Sequence, residues 1–332
     1  MNFKSTIEQI MQGYHLNGQD AFTVMSNIGD GAYNESQKTA LIIALSSRDL
    51  SLEEIAGFRN ALLELSVKTS LTSYDAIDLC GTGGDERNTF NISTLASFVV
   101  AAAGYKVAKH GNYGVSSVSG SSNVLEKLGY QFSTDSSKLE RELNDLNICF
   151  LHAPLFHPAL KNVSETRKQL GIKTIFNSLG PLVNPARTQK QFVGVYNLKL
   201  ARLYHYLLQQ EAKDYVVVHA LDGYDEISLT SPMQYFSSTG EQLLNSSDFG
   251  LPSITQQQLY GGETLEDALV IFKKVIANEG TIAQTNAVLA NAAAGIQCFE
   301  KNKSLPECVA IAKEALVSGK ANQLLNKLIE IQ

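Results

Sequence analysis

Asp78-Leu79-Cys80-Gly81-Thr82-Gly83-Gly84-Asp85 decides how the rest of this sequence is read. The apolar residues leading into it, 76–80, predict a short buried strand, and three glycines in four positions predict a sharp turn at its end. With no Cβ in the way, such a turn lets the backbone come close to a ligand. Asn91-Ile92-Ser93-Thr94 follows, then an apolar run over 95–103. That run predicts a helix, with Ser93 or Thr94 as its N-cap and Gly104 as its stop. Residues 105–108 read as a second strand, which delivers Lys109-His110-Gly111-Asn112 as a basic turn. A serine-rich turn over 116–122 then leads into a second helix that closes at Gly129.

The order is strand, glycine turn, helix, strand, basic turn, helix: a βα unit repeated, with each polar cluster at a strand's C-terminal end. Open α/β sheets bind ligands at that edge. Unpaired N–H groups at glycine turns and helix N-termini suit an anion, above all a phosphate. Lys109 adds a full positive charge. The stretch lacks the Gly-Lys-Ser/Thr ending of a P-loop and the spacing of the dinucleotide fingerprint. GTGGD by itself is only a tight turn; the weight comes from GTGGD, NIST, KHGN and SSVSGS falling within one short segment.

Outward from this segment, residues 1–67 read as helices only. Asn34 with Gln37 and Ser51 with Glu54 match capping boxes. Leu52, Ile55, Phe58, Leu62 and Leu65 form one apolar stripe at helical spacing, a core face or a face for a second subunit. The polar residues 67–73 read as a linker. Helices are expected over 136–146, 158–170 and 200–210, and strands over 148–151, 191–196 and 215–220. Further strands continue to about Leu259, followed by four helices from residue 264 onward. The expected architecture is α/β. A small all-helical domain spans 1–70, joined by helical residues around 155–172. A larger α/β domain, with a central, mainly parallel sheet flanked by helices, spans 71–332.

The chain has 332 residues, 44% hydrophobic and 18% charged, with a net charge of −6. That balance argues against broad nucleic-acid binding. Cys80, Cys149, Cys298 and Cys308 have no metal-like or paired spacing and read as reduced, buried thiols. No apolar run approaches membrane-spanning length and no signal peptide is visible, so a cytoplasmic protein is expected.

GTGGD, NIST, KHGN, Val115-Ser116-Ser117, Ser119-Gly120 and VLEKLG together resemble anthranilate phosphoribosyltransferases. The resemblance extends through residues 166–171 (TRKQLG), 177–185 (NSLGPLVNP) and 222–229 (DGYDEISL). It implies transfer of the phosphoribosyl group of phosphoribosyl pyrophosphate to the amine of anthranilate, in tryptophan biosynthesis, by a homodimer joined through the helical domain. It assigns the donor cradle to Gly81, Gly84, Asp85, Thr89, Asn91, Ile92, Ser93 and Thr94. The cradle continues through Lys109, His110, Gly111, Asn112, Tyr113, Gly114, Val115, Ser116 and Ser117 to Ser121. It gives anthranilate to Gly81, Asn112 and Arg167, and two Mg²⁺ ions to Ser93, Asp225 and Glu226. The family commonly follows KHGN with Arg-Ala; here Tyr113-Gly114 stands there, and the loop loses one cation.

The residues themselves agree with this chemistry. Asp225 and Glu226 follow an apolar strand, and paired hard oxygens on a loop suit Mg²⁺ bound together with substrate phosphates. Arg167, on a predicted helix, suits a carboxylate if that helix faces the cleft. His110, His152 and His157 fit no zinc spacing and read as pocket-lining or structural. The serine cluster over 116–121 lacks a nucleophile-elbow context. No catalytic acid or base is assigned. Two rivals stay open: a pyrimidine nucleoside phosphorylase, tested by phosphorolysis, and a non-enzymatic nucleic-acid-binding relative, tested by a salt-dependent shift.

Overall fold

The computed structural model describes residues 2–114 and 118–332. The chain opens with four helices, α1 (Phe3–Met11), α2 (Gly18–Gly29), α3 (Glu35–Ser46) and α4 (Leu52–Glu64). Then come β1 (Ala76–Gly81), α5 (Ile92–Ala102), β2 (Lys106–Gly111), α6 (Ser121–Lys127), α7 (Ser136–Asp145) and β3 (Ile148–His152). Two helices follow, α8 (Ala153–Phe156) and α9 (Lys161–Leu170), and after them β4 (Lys190–Gly194), α10 (Leu198–Gln210) and β5 (Asp214–Ala220). The hairpin β6 (Met233–Ser237) and β7 (Gly240–Leu244) precedes the closing helices α11 (Leu265–Ile276), α12 (Ile282–Gln297), α13 (Leu305–Val317) and α14 (Lys320–Glu330). The chain divides into two units, residues 1–68 with 153–185, and residues 69–152 with 186–332. The segment returning to the helical unit is thus longer than 155–172.

In the helical unit both capping boxes form, at Asn34 with Gln37 and at Ser51 with Glu54. The α4 stripe is buried through Ile55, Phe58 and Leu62. Glu54 does more than cap: its carboxylate also takes the Leu16 N–H and pairs with Arg48 and His15. Burial pushes its pKa up, but the Arg48 guanidinium and the Leu16 and Ser51 N–H groups outweigh it and bring it to about 2. On α9, Gly171 closes the helix in the left-handed region.

The second unit is built on a seven-stranded sheet of order β3-β2-β1-β4-β5-β6-β7. Pairing is parallel from β3 to β5 and antiparallel through β6 and β7. Its parallel strands are near-continuous apolar runs, as expected when both faces are covered. The apolar helix α5 packs on the sheet, its Phe98 meeting Phe150 and Phe272 at 5.6 and 6.2 Å between ring centres. The alanine-rich α12 lies close enough that a Cβ on Gly295 would come within 2.9 Å of Leu79.

Three local expectations change. Asn91, not Ser93 or Thr94, stands at the N-cap of α5, so both hydroxyl residues lie in its first turn. β2 runs on to Gly111, which puts Lys109 and His110 in the strand and not on a turn. Beyond β7 the chain proceeds by short 3₁₀ turns at Ser246–Phe249 and Gln256–Leu259, not by further strands.

Candidate active site

The strand order reverses between β1 and β4, and ligands of open α/β sheets bind at such a switch point. These two strands end in paired glycines, Gly81 and Gly194. Asp225 lies directly on them. A Cβ on Gly81 would collide with the Asp225 carboxylate, and one on Gly194 with the Asp225 carbonyl. The Gly83 N–H donates to Asp225 Oδ2 at 2.6 Å. Gly83 and Gly84 have φ of 64° and 76°, the left-handed backbone that makes glycine necessary in this turn. From below, Asn291 of α12 clamps the loop: its side chain accepts from the Ile227 N–H at 3.0 Å and donates to the Ile227 carbonyl at 2.9 Å.

Glu226, next in the chain, meets Ser93 through both the backbone N–H and the hydroxyl of that serine. This explains why Ser93 does not cap α5: its polar groups are turned to the loop after β5. Lys109 is only 2% exposed. Its ammonium donates to the Leu79 carbonyl and lies 3.5 Å from Ser93 Oγ. Beneath it, the fully buried Asp78 accepts the His110 N–H at 3.0 Å and fixes β2 against β1.

Asp85, Asp225 and Glu226 thus gather around one turn. Burial raises the pKa of all three. For Asp225 the neighbouring Asp85 and Glu226 charges push further the same way. For Glu226 burial is opposed by Lys109 and Ser93, and its pKa stands at about 7. Asp85 Oδ2, Glu226 Oε2 and Thr82 Oγ1 are buried without a hydrogen-bond partner among the described residues. Buried carboxylate oxygens without donors, in excess of the local positive charge, fit a hard divalent cation. No group of three or more His, Cys, Asp or Glu side chains among the described residues forms a cage for a metal. A cation here would need oxygens from a ligand as well, the usual situation of Mg²⁺ with substrate phosphates.

Arg87 is a residue that sequence reasoning passed over. Its backbone N–H donates to Asp85 Oδ1 at 3.0 Å, and its guanidinium donates to the Asp222 carbonyl at 2.7 Å. The same guanidinium lies 5.1 Å from the centre of the Tyr224 ring. It ties the turn after β1 to the loop after β5. No motif marks it; a lone arginine in a polar turn reads as solvated.

The remaining expected site residues fall in several places. Thr89 bridges to Tyr260, and the Asn91 side chain donates to the Ser119 carbonyl at 3.1 Å. Ile92 and Thr94 are buried in the first turn of α5. Gly111 ends β2 against Ser121: a Cβ on Gly111 would strike its hydroxyl. Ser121 Oγ donates to the Asn112 carbonyl at 3.4 Å. Tyr113 and Gly114 follow Asn112; Val115, Ser116 and Ser117 lie outside the described residues. Arg167 belongs to the helical unit, where its guanidinium lies 5.2 Å from the centre of the Phe176 ring. Burial lowers the pKa of His152, and that of His157 to about 4, so both are neutral at pH 7.

The sequence model described as "Glycosyl transferase family, a/b domain" matches residues 73–322, and that of its helical bundle domain matches residues 4–66. Over 328 residues, 99% of each chain, the sequence is 50% identical to an anthranilate phosphoribosyltransferase from Flavobacterium johnsoniae. Among solved structures, it is similar to the anthranilate phosphoribosyltransferase of Thermus thermophilus, with a TM-score of 0.90, 32% identity and 98% coverage of each chain. It is equally similar in fold to the Saccharomyces cerevisiae enzyme in complex with phosphoribosyl pyrophosphate and Mg. There the TM-score is 0.90 at 27% identity, covering 99% of this chain and 97% of that one. The yeast enzyme is also solved with 4-fluoroanthranilate.

Proposed function

The chain belongs to the anthranilate phosphoribosyltransferase family, and on that premise we infer its function. It transfers the phosphoribosyl group of phosphoribosyl pyrophosphate to the amine of anthranilate, giving N-(5-phosphoribosyl)anthranilate and pyrophosphate, in tryptophan biosynthesis. The observation that carries this reading is the convergence of Asp85, Asp225 and Glu226 with Ser93 and Lys109 at the sheet's switch point.

The transfer uses magnesium. We propose two ions per chain, held by Asp225, Glu226 and Ser93; the buried Glu226 oxygen without a donor supports this. Asp225, Glu226 and Ser93 would hold the metal beside the donor, where it would supply positive charge to the departing pyrophosphate. The donor's phosphates lie against the glycine turn, with Gly81, Gly84, Thr89, Asn91, Thr94, the Lys109–Asn112 segment and Ser121 as the cradle. Asp85 meets ribose or metal-bound water, because a carboxylate repels phosphate. Anthranilate lies at Asn112 and Gly81, with Arg167 taking its carboxylate. The amine attacks ribose C1, the bond from C1 to the pyrophosphate oxygen breaks, and the extra amine proton leaves to water. Lys109, whose charge is held in place by Leu79 and Ser93, favours the anionic side of this displacement. Fixing two substrates in attack geometry supplies roughly 7–11 kcal/mol in favourable cases, and no acid or base is assigned.

The helical unit also carries exposed apolar side chains at Met11, Tyr14 and Ile43, which supports a homodimer through this unit. No helix among the described residues is long and apolar enough to cross a membrane. A cytoplasmic enzyme is proposed from the biosynthetic role.

The test is loss of anthranilate fluorescence on mixing with phosphoribosyl pyrophosphate and Mg²⁺. The expected result is consumption that stops with EDTA. An unchanged signal, with the donor still bound by calorimetry, would replace anthranilate by another amine; no binding of either compound would overturn the reading. In the same assay Arg87→Ala loses about tenfold in kcat/KM, the cost of a charge-assisted tether between two site loops. Arg87→Lys does not restore it, because an ammonium cannot both reach the Asp222 carbonyl and lie flat on Tyr224. Wild-type kinetics in Arg87→Ala would remove Arg87 from the site.

A further inference from the structure

Tyr113 stands where the family commonly has arginine, and its surroundings are specific. Its hydroxyl donates to Glu126 Oε1 at 2.7 Å, near the end of α6. Its ring meets the His152 ring edge-on, with centres 4.8 Å apart. His152 is itself fixed: it stacks on Phe132 at 4.6 Å, and its Nδ1 is bonded to Ser122 Oγ at 2.8 Å. The backbone beside Tyr113 is tied to the same helix. The Gly114 and Gly120 N–H groups both donate to Asn123 Oδ1, at 2.9 and 3.0 Å. The Ser122 N–H donates to the Asn112 carbonyl at 3.2 Å.

These contacts give Tyr113 a different task from the arginine it replaces. The phenol brings no charge, and its one O–H is engaged by Glu126. A bare carboxylate beside an anion loop would repel phosphate, and the phenol occupies it. Burial keeps His152 neutral, so no cation is added from that side. What the cluster supplies is order.

We propose that Tyr113 is a positioning residue: its ring on His152 and its hydroxyl on Glu126 hold residues 112–114 against α6, fixing Asn112 where donor and acceptor meet. This rests on the reading of Asn112 given under Proposed function. The effect is on assembly of the bound state more than on the bond-breaking step.

The test is steady-state kinetics with both substrates on the full chain. Tyr113→Phe keeps the ring and loses the bond. It raises KM for the donor about fivefold, while kcat changes less than KM. Glu126→Ala gives a smaller rise, because it loses the bond without leaving a bare carboxylate; Glu126→Gln keeps an acceptor and stays near wild type, and Tyr113→Phe with Glu126→Ala is no worse than Tyr113→Phe alone. Tyr113→Ala also gives up the His152 contact and loses more. Thermal melts of the variants stay at the wild-type midpoint, which separates positioning from a loss of folding. An active wild type with Tyr113→Phe unchanged, or with the two single effects adding, overturns the proposal alone. A wild type that neither binds nor turns over the two substrates overturns the functional reading and the proposal with it.

Discussion

Glu226→Gln slows turnover about 10³-fold and makes the metal-free protein more stable at pH 8. Both effects have one source. Glu226 is buried, has an oxygen without a donor, and sits beside Asp85 and Asp225. Burial raises its pKa from the ordinary 4.5 to about 7. The folded state therefore holds a proton on this side chain that the unfolded state releases. Its contribution to stability is full below pH 4.5 and is lost as pH rises to about 7. At pH 8 that loss amounts to roughly 3 kcal/mol. Glutamine has no charge to bury and escapes it, so the variant's advantage grows between pH 4.5 and 7 and then levels off. Asp225 and Asp85 are raised in the same direction and keep the wild type sensitive. Adding Mg²⁺ together with phosphoribosyl pyrophosphate reverses the order: the wild type is stabilised by ligand binding and the variant much less. Turnover falls about 10³-fold, the scale for removing one fixed electrostatic partner of a developing charge. Urea melts in EDTA at pH 5 and pH 8, beside the fluorescence assay, check both halves. A variant less stable than wild type at pH 8, or one that turns over normally, would remove Glu226 from the metal-binding role.

The parts of this site legible in the sequence are the local ones. Gly81, Gly83 and Gly84 announce a turn by their clustering, and only glycine takes the backbone of Gly83 and Gly84 easily. The apolar run after Asn91 announces α5 by its length and by Gly104, which closes it at φ 99°. Asp225 and Glu226 are visible as adjacent acids after an apolar strand. The misread residues are those whose surroundings are distant in sequence. Lys109 reads as a cation on a turn at the ligand edge, yet β2 carries it inside, where the Leu79 carbonyl of the neighbouring strand receives its ammonium. Ser93 reads as a cap, yet Glu226 claims it from 133 positions away (226 minus 93). Asn291 is one polar residue in an alanine-rich helix, and Arg87 one cation in a polar turn. Neither has a local pattern, since each acts on a loop that only the sheet order brings near.

Gly194 is the sharpest case, and it supplies the second large effect. In the sequence it is a glycine inside a strand, with nothing to set it apart. In the sheet it pairs with Gly81 across the switch point, and the Asp225 carbonyl rests where its Cβ would be. Gly194→Ala therefore pushes on backbone, which cannot swing aside as a side chain can. The loop is also held at the Asp225 carboxylate by the Gly83 N–H and, at Ile227, by Asn291. Relief of the clash must break one of these. The expected cost is about 2–4 kcal/mol of stability, as for overpacking at a rigid contact. The kcat/KM falls about 100-fold or more, because a shift near 1 Å at reacting groups is felt on that scale. Gly104→Ala is the control: its φ of 99° strains an alanine, but its Cβ would meet nothing within 4 Å and the site is elsewhere. It loses stability and keeps kcat/KM. Gly81→Ala falls between the two, since its Cβ meets the Asp225 carboxylate, which can rotate at the expense of the Gly83 bond. Circular dichroism and kinetics on the three variants give the ranking. If Gly194→Ala matched Gly104→Ala in kcat/KM, the two glycines would not be the floor on which the acidic loop is set.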